Sequence, residues 1–213
     1  MMLLNRILRR PVRSILQDSS GVSMIEFGFA LPIVVALGLG GLETANLALA
    51  HLRVSQIGMT AADNAARVRT TIDETDIEEV FEGARLVGEA IDFEANGRLV
   101  LSSLQHNGET GADEGQMINW QRCTGAQTAI DSAYGVQGDG RTDDSLESMG
   151  ANPSIAAAPG TAIMFVEVTY NYQPLFPNFM AAPQIRYESA FSVRERVNQD
   201  ITNTTSIAVN NCT

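Results

Sequence analysis

The stretch GVSMIEFGFALPIVVALGLGGLETANLALA, residues 21–50, decides how the rest of the chain is read. From Ile25 to Leu42 it is an almost unbroken apolar run of 18 residues. As a helix rising about 1.5 Å per residue, that run covers about 27 Å, close to the thickness of a bilayer core. A secretory signal peptide has a shorter apolar core, closed on its far side by a small-residue cleavage site. Here Glu26 interrupts the near end, and the far side continues as ETANLALAHLRVSQIGMTAADNAARVR with no helix breaker. The pattern predicts a signal anchor that runs on into a long exposed helix from Val22 to about Arg69, on the order of 70 Å in all.

Pro32 and the glycines Gly28, Gly38, Gly40 and Gly41 lie inside the run. Such residues weaken a helix in water but are tolerated in lipid, where small side chains let helices approach closely. They fit a helix that packs against copies of itself or its relatives; a lone anchor of ordinary glycine content is the plainer alternative.

Charge is distributed to match. The chain has 213 residues, a net charge of -11, and 14 basic residues that are all arginine. Arg6, Arg9, Arg10 and Arg13 precede the apolar run against a single acid, Asp18, so the remainder carries -14. A basic leader ahead of an acidic body predicts a leader retained inside and a body translocated across the membrane. The acidic balance argues against nucleic-acid binding, which needs a basic surface to neutralise phosphates. Hydrophobic content of 45% suits one ordinary domain plus a membrane segment.

Glu26 is costly at the edge of an apolar run unless it is paired. A cut between Gly21 and Val22 would make Val22 residue one and Glu26 residue five, one helical turn away from a new positive amine on the same or a neighbouring helix. A basic leader ending in Gly, four further residues, then Glu26 and the aromatic Phe27 resembles the processing site of type IV and Tad pilins. With Leu31-Pro32 in mid-span, a second acid at Glu43 and Ala66-Arg67 closing the helix, the segment is similar to the TadE-like family of the tight adherence (Tad/Flp) pilus system.

The resemblance implies a pilin-like α+β fold, a long N-terminal transmembrane stalk helix followed by a helix and a small antiparallel β-sheet head. It also implies a prepilin peptidase that cuts after Gly21 on the cytoplasmic face of the inner membrane, and other pilins or pseudopilins as partners, among them a TadF-like subunit and the Flp major pilin. Glu26, Phe27, Pro32 and Glu43 become the candidate assembly residues. Glu43 reads either as an acid at the headgroup level or as a subunit contact. The chain divides accordingly into a leader at residues 1–21, a transmembrane and stalk helix at 22–69, and a periplasmic head at 70–213.

Within the head, Ile77, Val80, Phe81, Ala84, Val87 and Ile91 recur at helical spacing, predicting an amphipathic helix packed on a sheet. Asp73, Glu74, Asp76, Glu78 and Glu79 crowd its start, where the helix dipole favours acids without any ligand. GRLVLSSL from Gly97 and QMINWQRC ending at Cys123 read as strands joined by the hairpin-like loop HNGETGADEG. Residues 124–160 read as a long surface loop. TAIMFVEVTYNY from Thr161 and QIRYESAFSVRER read as two further strands about a proline-bounded turn. That strand, turn and strand, with Tyr170, Tyr172, Pro174, Arg194 and Arg196, also resembles the C-terminal half of TadE-like proteins.

Cys123 and Cys212 can form one bridge if the head folds in an oxidising compartment; two unpaired thiols are the plainer alternative, and metal ligation lacks a neighbouring Cys or His. Asp139, Asp143 and Asp144 do not have the spacing of an EF-hand loop. The histidines, His51 and His106, stand apart, and no nucleophile elbow, P-loop or zinc signature occurs. The expectation is therefore a non-catalytic structural subunit without a cofactor or metal. The alternative is a signal-anchored periplasmic binding module with Tyr172, Phe176 and Phe179 as a contact patch.

Overall fold

The computed structural model describes residues 20–177 and 182–212. Apart from Ser20 and Gly21, the expected leader lies outside these residues, as does Phe179. Helix α1, Ser20–Arg67, is continuous over 48 residues with Pro32 inside it. Residues 21–38 are exposed along their whole length, and cover begins at Leu39 and Gly40. Beyond them the buried positions are Glu43, Ala50, Val54, Ile57, Gly58, Ala61, Ala62, Ala65 and Ala66, with Leu47 packed alongside. Steps of three and four place these on one face, so the second half of the helix carries an apolar stripe that the first half does not need.

The stripe lies on a four-stranded antiparallel sheet in the order β3-β2-β4-β5, formed by β2 (Gly97–His106), β3 (Gln116–Thr124), β4 (Ala162–Asn171) and β5 (Gln184–Ser192). Helix α1 crosses β4 and β5. At the crossing, a Cβ on Gly58 would stand 3.1 Å from Ser189 Oγ and 3.2 Å from Val168 Cγ2, so glycine sets how closely helix and sheet approach. Leu99, Leu101, Trp120, Met164, Val166, Val168 and Tyr170 fill the space beneath the helix.

The amphipathic helix appears as α2, Glu74–Gly88. It packs chiefly along α1, whereas the periodicity had predicted packing on the sheet. The reason is room: α1 already occupies the β4-β5 half, and α2 lies beside it, reaching β3 through polar bonds. Asp73 caps α2, accepting from Thr75 N–H, while Asp76 accepts from the Asp73 N–H. Glu74, one of the crowded acids, instead turns inward: 3% exposed, it receives Arg122 Nε at 2.9 and 3.0 Å. Arg122 also donates to the Gln121 carbonyl and to Gln137 Oε1. Short helix α3, Phe93–Asn96, follows.

Two elements had no counterpart in the sequence reading. Helix α1 stops at Arg67, two residues short of the expected end. Thr70, at φ 62°, then turns the chain into β1, Thr70–Asp73. That strand pairs in parallel with β6, Arg196–Thr202. The expected last strand is also shorter: β5 ends at Ser192, the Arg194 N–H bonds the Ala66 carbonyl, and β6 begins at Arg196 in a different sheet.

Residues 124–160 are not merely a surface loop. Leu146, Met149 and Ala157 from this segment bury against Leu104, Ile118, Ile163 and Phe165 on the sheet face opposite α1. Glu167, 2% exposed on that face, accepts the Ser132 hydroxyl and the Ala133 N–H at 2.9 Å and pairs with Arg186, tying the loop down. This is why β4 is buried at nine successive positions. Met149→Ala should therefore cost about 2–4 kcal/mol of stability. The measurement is denaturant unfolding of the full chain in detergent; a change within about 0.5 kcal/mol, as at a surface site, would refute the loop's role as a core layer.

Candidate functional site

The residues singled out in the sequence fall into three places. Gly21, Val22, Glu26, Phe27 and Pro32 all stand on the exposed half of α1, with Phe27 64% accessible and Val22 53%. The structure does not bring them near the head. Cys123 and Cys212 are joined in a disulfide spanning 89 residues. Glu43 lies at the junction of the two halves.

Glu43 is the first residue after the apolar run, and it is fully buried. The Tyr172 hydroxyl donates to its Oε1 at 2.6 Å, the Phe176 N–H donates to its Oε2 at 3.0 Å, and Asn46 Nδ2 donates to Tyr172 Oη at 2.8 Å. Each carboxylate oxygen thus has one neutral donor from the head. With a partner at each oxygen, the carboxyl group escapes the cost of a buried polar group left unbonded. Within this chain Glu43 is buried against the head and links it to the stalk. Burial, followed by the bond to Glu43, pushes the Tyr172 phenol up to about 12.

Tyr172, at 2% exposure, is buried rather than presented as a contact patch, and Phe176 is half-buried. Beside this junction a cleft of about 510 Å³ opens between α1 and the turn after α2, lined by Asn46, Glu89, Asp92, Asn96, Tyr172 and Leu175, among others.

At the other end of α1, Arg196 donates to the Ala65 carbonyl at 3.4 Å and to Gln199 Oε1 at 2.9 Å, meeting the helix C-terminus with positive charge. Arg196 is 6% exposed, and burial pushes its guanidinium down to about 10, with Asp76 opposing. The disulfide fastens the C-terminal tail to β3. Arg98 Nη2 donates to the Cys212 carbonyl, and the Cys123 N–H bonds Asn210 O at 2.9 Å.

The remaining candidates have local roles. Asp139 and Asp143 accept backbone N–H bonds from Val136 and Ser145 within their own loop, and Asp144 is exposed. His51 Nδ1 lies 3.2 Å from Tyr187 Oη, and His106 Nε2 lies 3.4 Å from Glu114. Among the described residues no group of three or more His, Cys, Asp or Glu is placed to hold a metal ion.

Sequence reasoning missed the Glu43–Tyr172 and Glu74–Arg122 pairs, whose partners stand 129 and 48 residues apart. The one available signal was that Glu43 follows the apolar run directly, where an unpartnered acid is expensive. No family model, curated protein or solved structure matches the chain.

Two measurements test the site. The raised Tyr172 value means that its contribution is intact below pH 10 and is lost as pH rises toward 12. Alkaline unfolding in that window should accordingly weaken in Tyr172→Phe, and a curve superimposable on the wild type would exclude Tyr172 as its source. Replacing both cysteines by serine should remove about 4 kcal/mol of stability, the loop-closure entropy of a bridge this long. Equal denaturation midpoints for the two forms would show that the tail is held by other means.

Proposed function

We propose that the chain is a TadE-like minor pilin or pseudopilin, a structural and non-catalytic subunit for assembly of a Tad/Flp-type adhesive pilus, processed by prepilin peptidase after Gly21. The observation that carries this reading is the division of α1. Its first half is apolar and exposed directly behind the Gly21-Val22 junction, while its second half is the packing stripe of an antiparallel head. A helix so divided anchors in lipid, or among other helices, through one half and displays a folded domain through the other.

Several features agree with it. Gly21 and Val22 are both exposed in the described structure. The cut would place the Val22 amine one turn from Glu26, giving that acid a charge to face in its own or a neighbouring helix. The arginine-rich leader favours a cytoplasmic N-terminus, and the disulfide suits a head in the oxidising periplasm. Partners on this reading are the peptidase, a TadF-like subunit, the Flp major pilin and the inner membrane.

Mass spectrometry of the membrane form should return a mature N-terminus at Val22; an intact Gly21-Val22 bond in cells with active prepilin peptidase would overturn the proposal. Glu26→Ala should still fold, since Glu26 touches no part of the described head. It should nevertheless reduce pilus formation and surface attachment.

A further inference from the structure

We infer that the loop segment at residues 173–177 is a second membrane contact, with Leu175 and Phe176 seated in the headgroup and acyl boundary of the bilayer on the head's side. The inference rests on reading α1 as membrane-spanning.

Three observations place the loop there. The Phe176 N–H is bonded to Glu43, the residue that immediately follows the apolar run, so the loop lies at the level where the span ends. Partial burial of α1 begins at Leu39 and Gly40, one turn inside that run, so the helix starts to be covered before the span ends. The composition of the segment fits the boundary: Gln173-Pro174-Leu175-Phe176-Pro177 carries no charge, and Leu175 is 56% exposed in the isolated chain.

The same loop supplies one of the two donors that neutralise the cost of Glu43, so docking it on α1 and seating it in lipid are served by one geometry. Glu89 and Asp92 line the neighbouring cleft on this rim. Acids in that position disfavour anionic headgroups, so the contact is apolar insertion into a neutral interface and not electrostatic adhesion.

The opposite end of the head supplies a control. Arg196 bonds the Ala65 carbonyl, which lies about 33 Å along the helix from Glu43 at about 1.5 Å per residue. The adjoining Val197 is 96% exposed and stands well clear of any bilayer that holds the span.

Full-length chain with its disulfide intact would carry a single cysteine bearing an environment-sensitive fluorophore, at Leu175→Cys, Val197→Cys or Val34→Cys, in phosphatidylcholine vesicles. The expected result is blue-shifted emission with quenching by nitroxide-bearing lipid at positions 34 and 175, and water-like, unquenched emission at 197. Lipid at 34 with water at 175 overturns this inference alone. Water at both 34 and 175 overturns the spanning reading and this inference with it. Equal quenching at 175 and 197 also overturns it, because the probe would then report general adsorption of the head.

Discussion

The seating of the second half of α1 on β4 and β5 governs the rest of the structure, because one helix has to satisfy two solvents. From residue 21 to 38 its side chains are exposed and, apart from Ser23 and Glu26, apolar; from Glu43 onward one face is sealed beneath the head. Beside Val54 and Ile57 the sealed face is mostly small residues, Ala50, Gly58, Ala61, Ala62, Ala65 and Ala66, so the backbone approaches the sheet closely while larger residues of the strands supply much of the volume. Once α1 occupies that half of the sheet, α2 has to lie beside it, and the second sheet face is left to the segment 124–160.

Polar groups pin this arrangement at points that apolar packing leaves free to slide. Glu43 fixes one end of the seam through Tyr172 and Phe176, and Arg196 with the Arg194 N–H fixes the other. Glu74 and Arg122 fix α2 against β3 in a buried, multiply bonded pair. Such pairs add little net stability relative to apolar substitutes but are costly to break from one side. Their value here lies in register: each one selects a single position of a helix on a surface of similar side chains.

How much of this was legible in the chain follows from the range of each interaction. The apolar run, the α2 periodicity and the alternation in β4 are written in consecutive residues, and each emerges as the expected type of element. The β1–β6 pairing was invisible because it joins short strands far apart, and four residues such as TTID carry no pattern of their own. Leu146 and Met149 stand singly among polar residues and glycine, and Ala157 sits in a short alanine run, so no period marked them as core. For the candidate site, Glu43 was legible as an anomaly, an acid against an apolar run, but its answer lay in Tyr172, just past the end of β4 and 129 residues later. The cysteine pair was legible as a possibility that only the approach of the C-terminal tail to β3 could decide.

The two pins at opposite ends of the seam have a mechanical consequence. A pull on the buried end of α1 along its axis acts parallel to the interface, so it loads the Glu43 bonds, the interlocked alanine stripe and the Arg196 clamp together as a lap joint in shear. A sideways pull would instead open them one after another, like a peel. The fold therefore resists tension best along the direction of its own stalk, and the disulfide prevents the chain's far end from unravelling when β3 is strained.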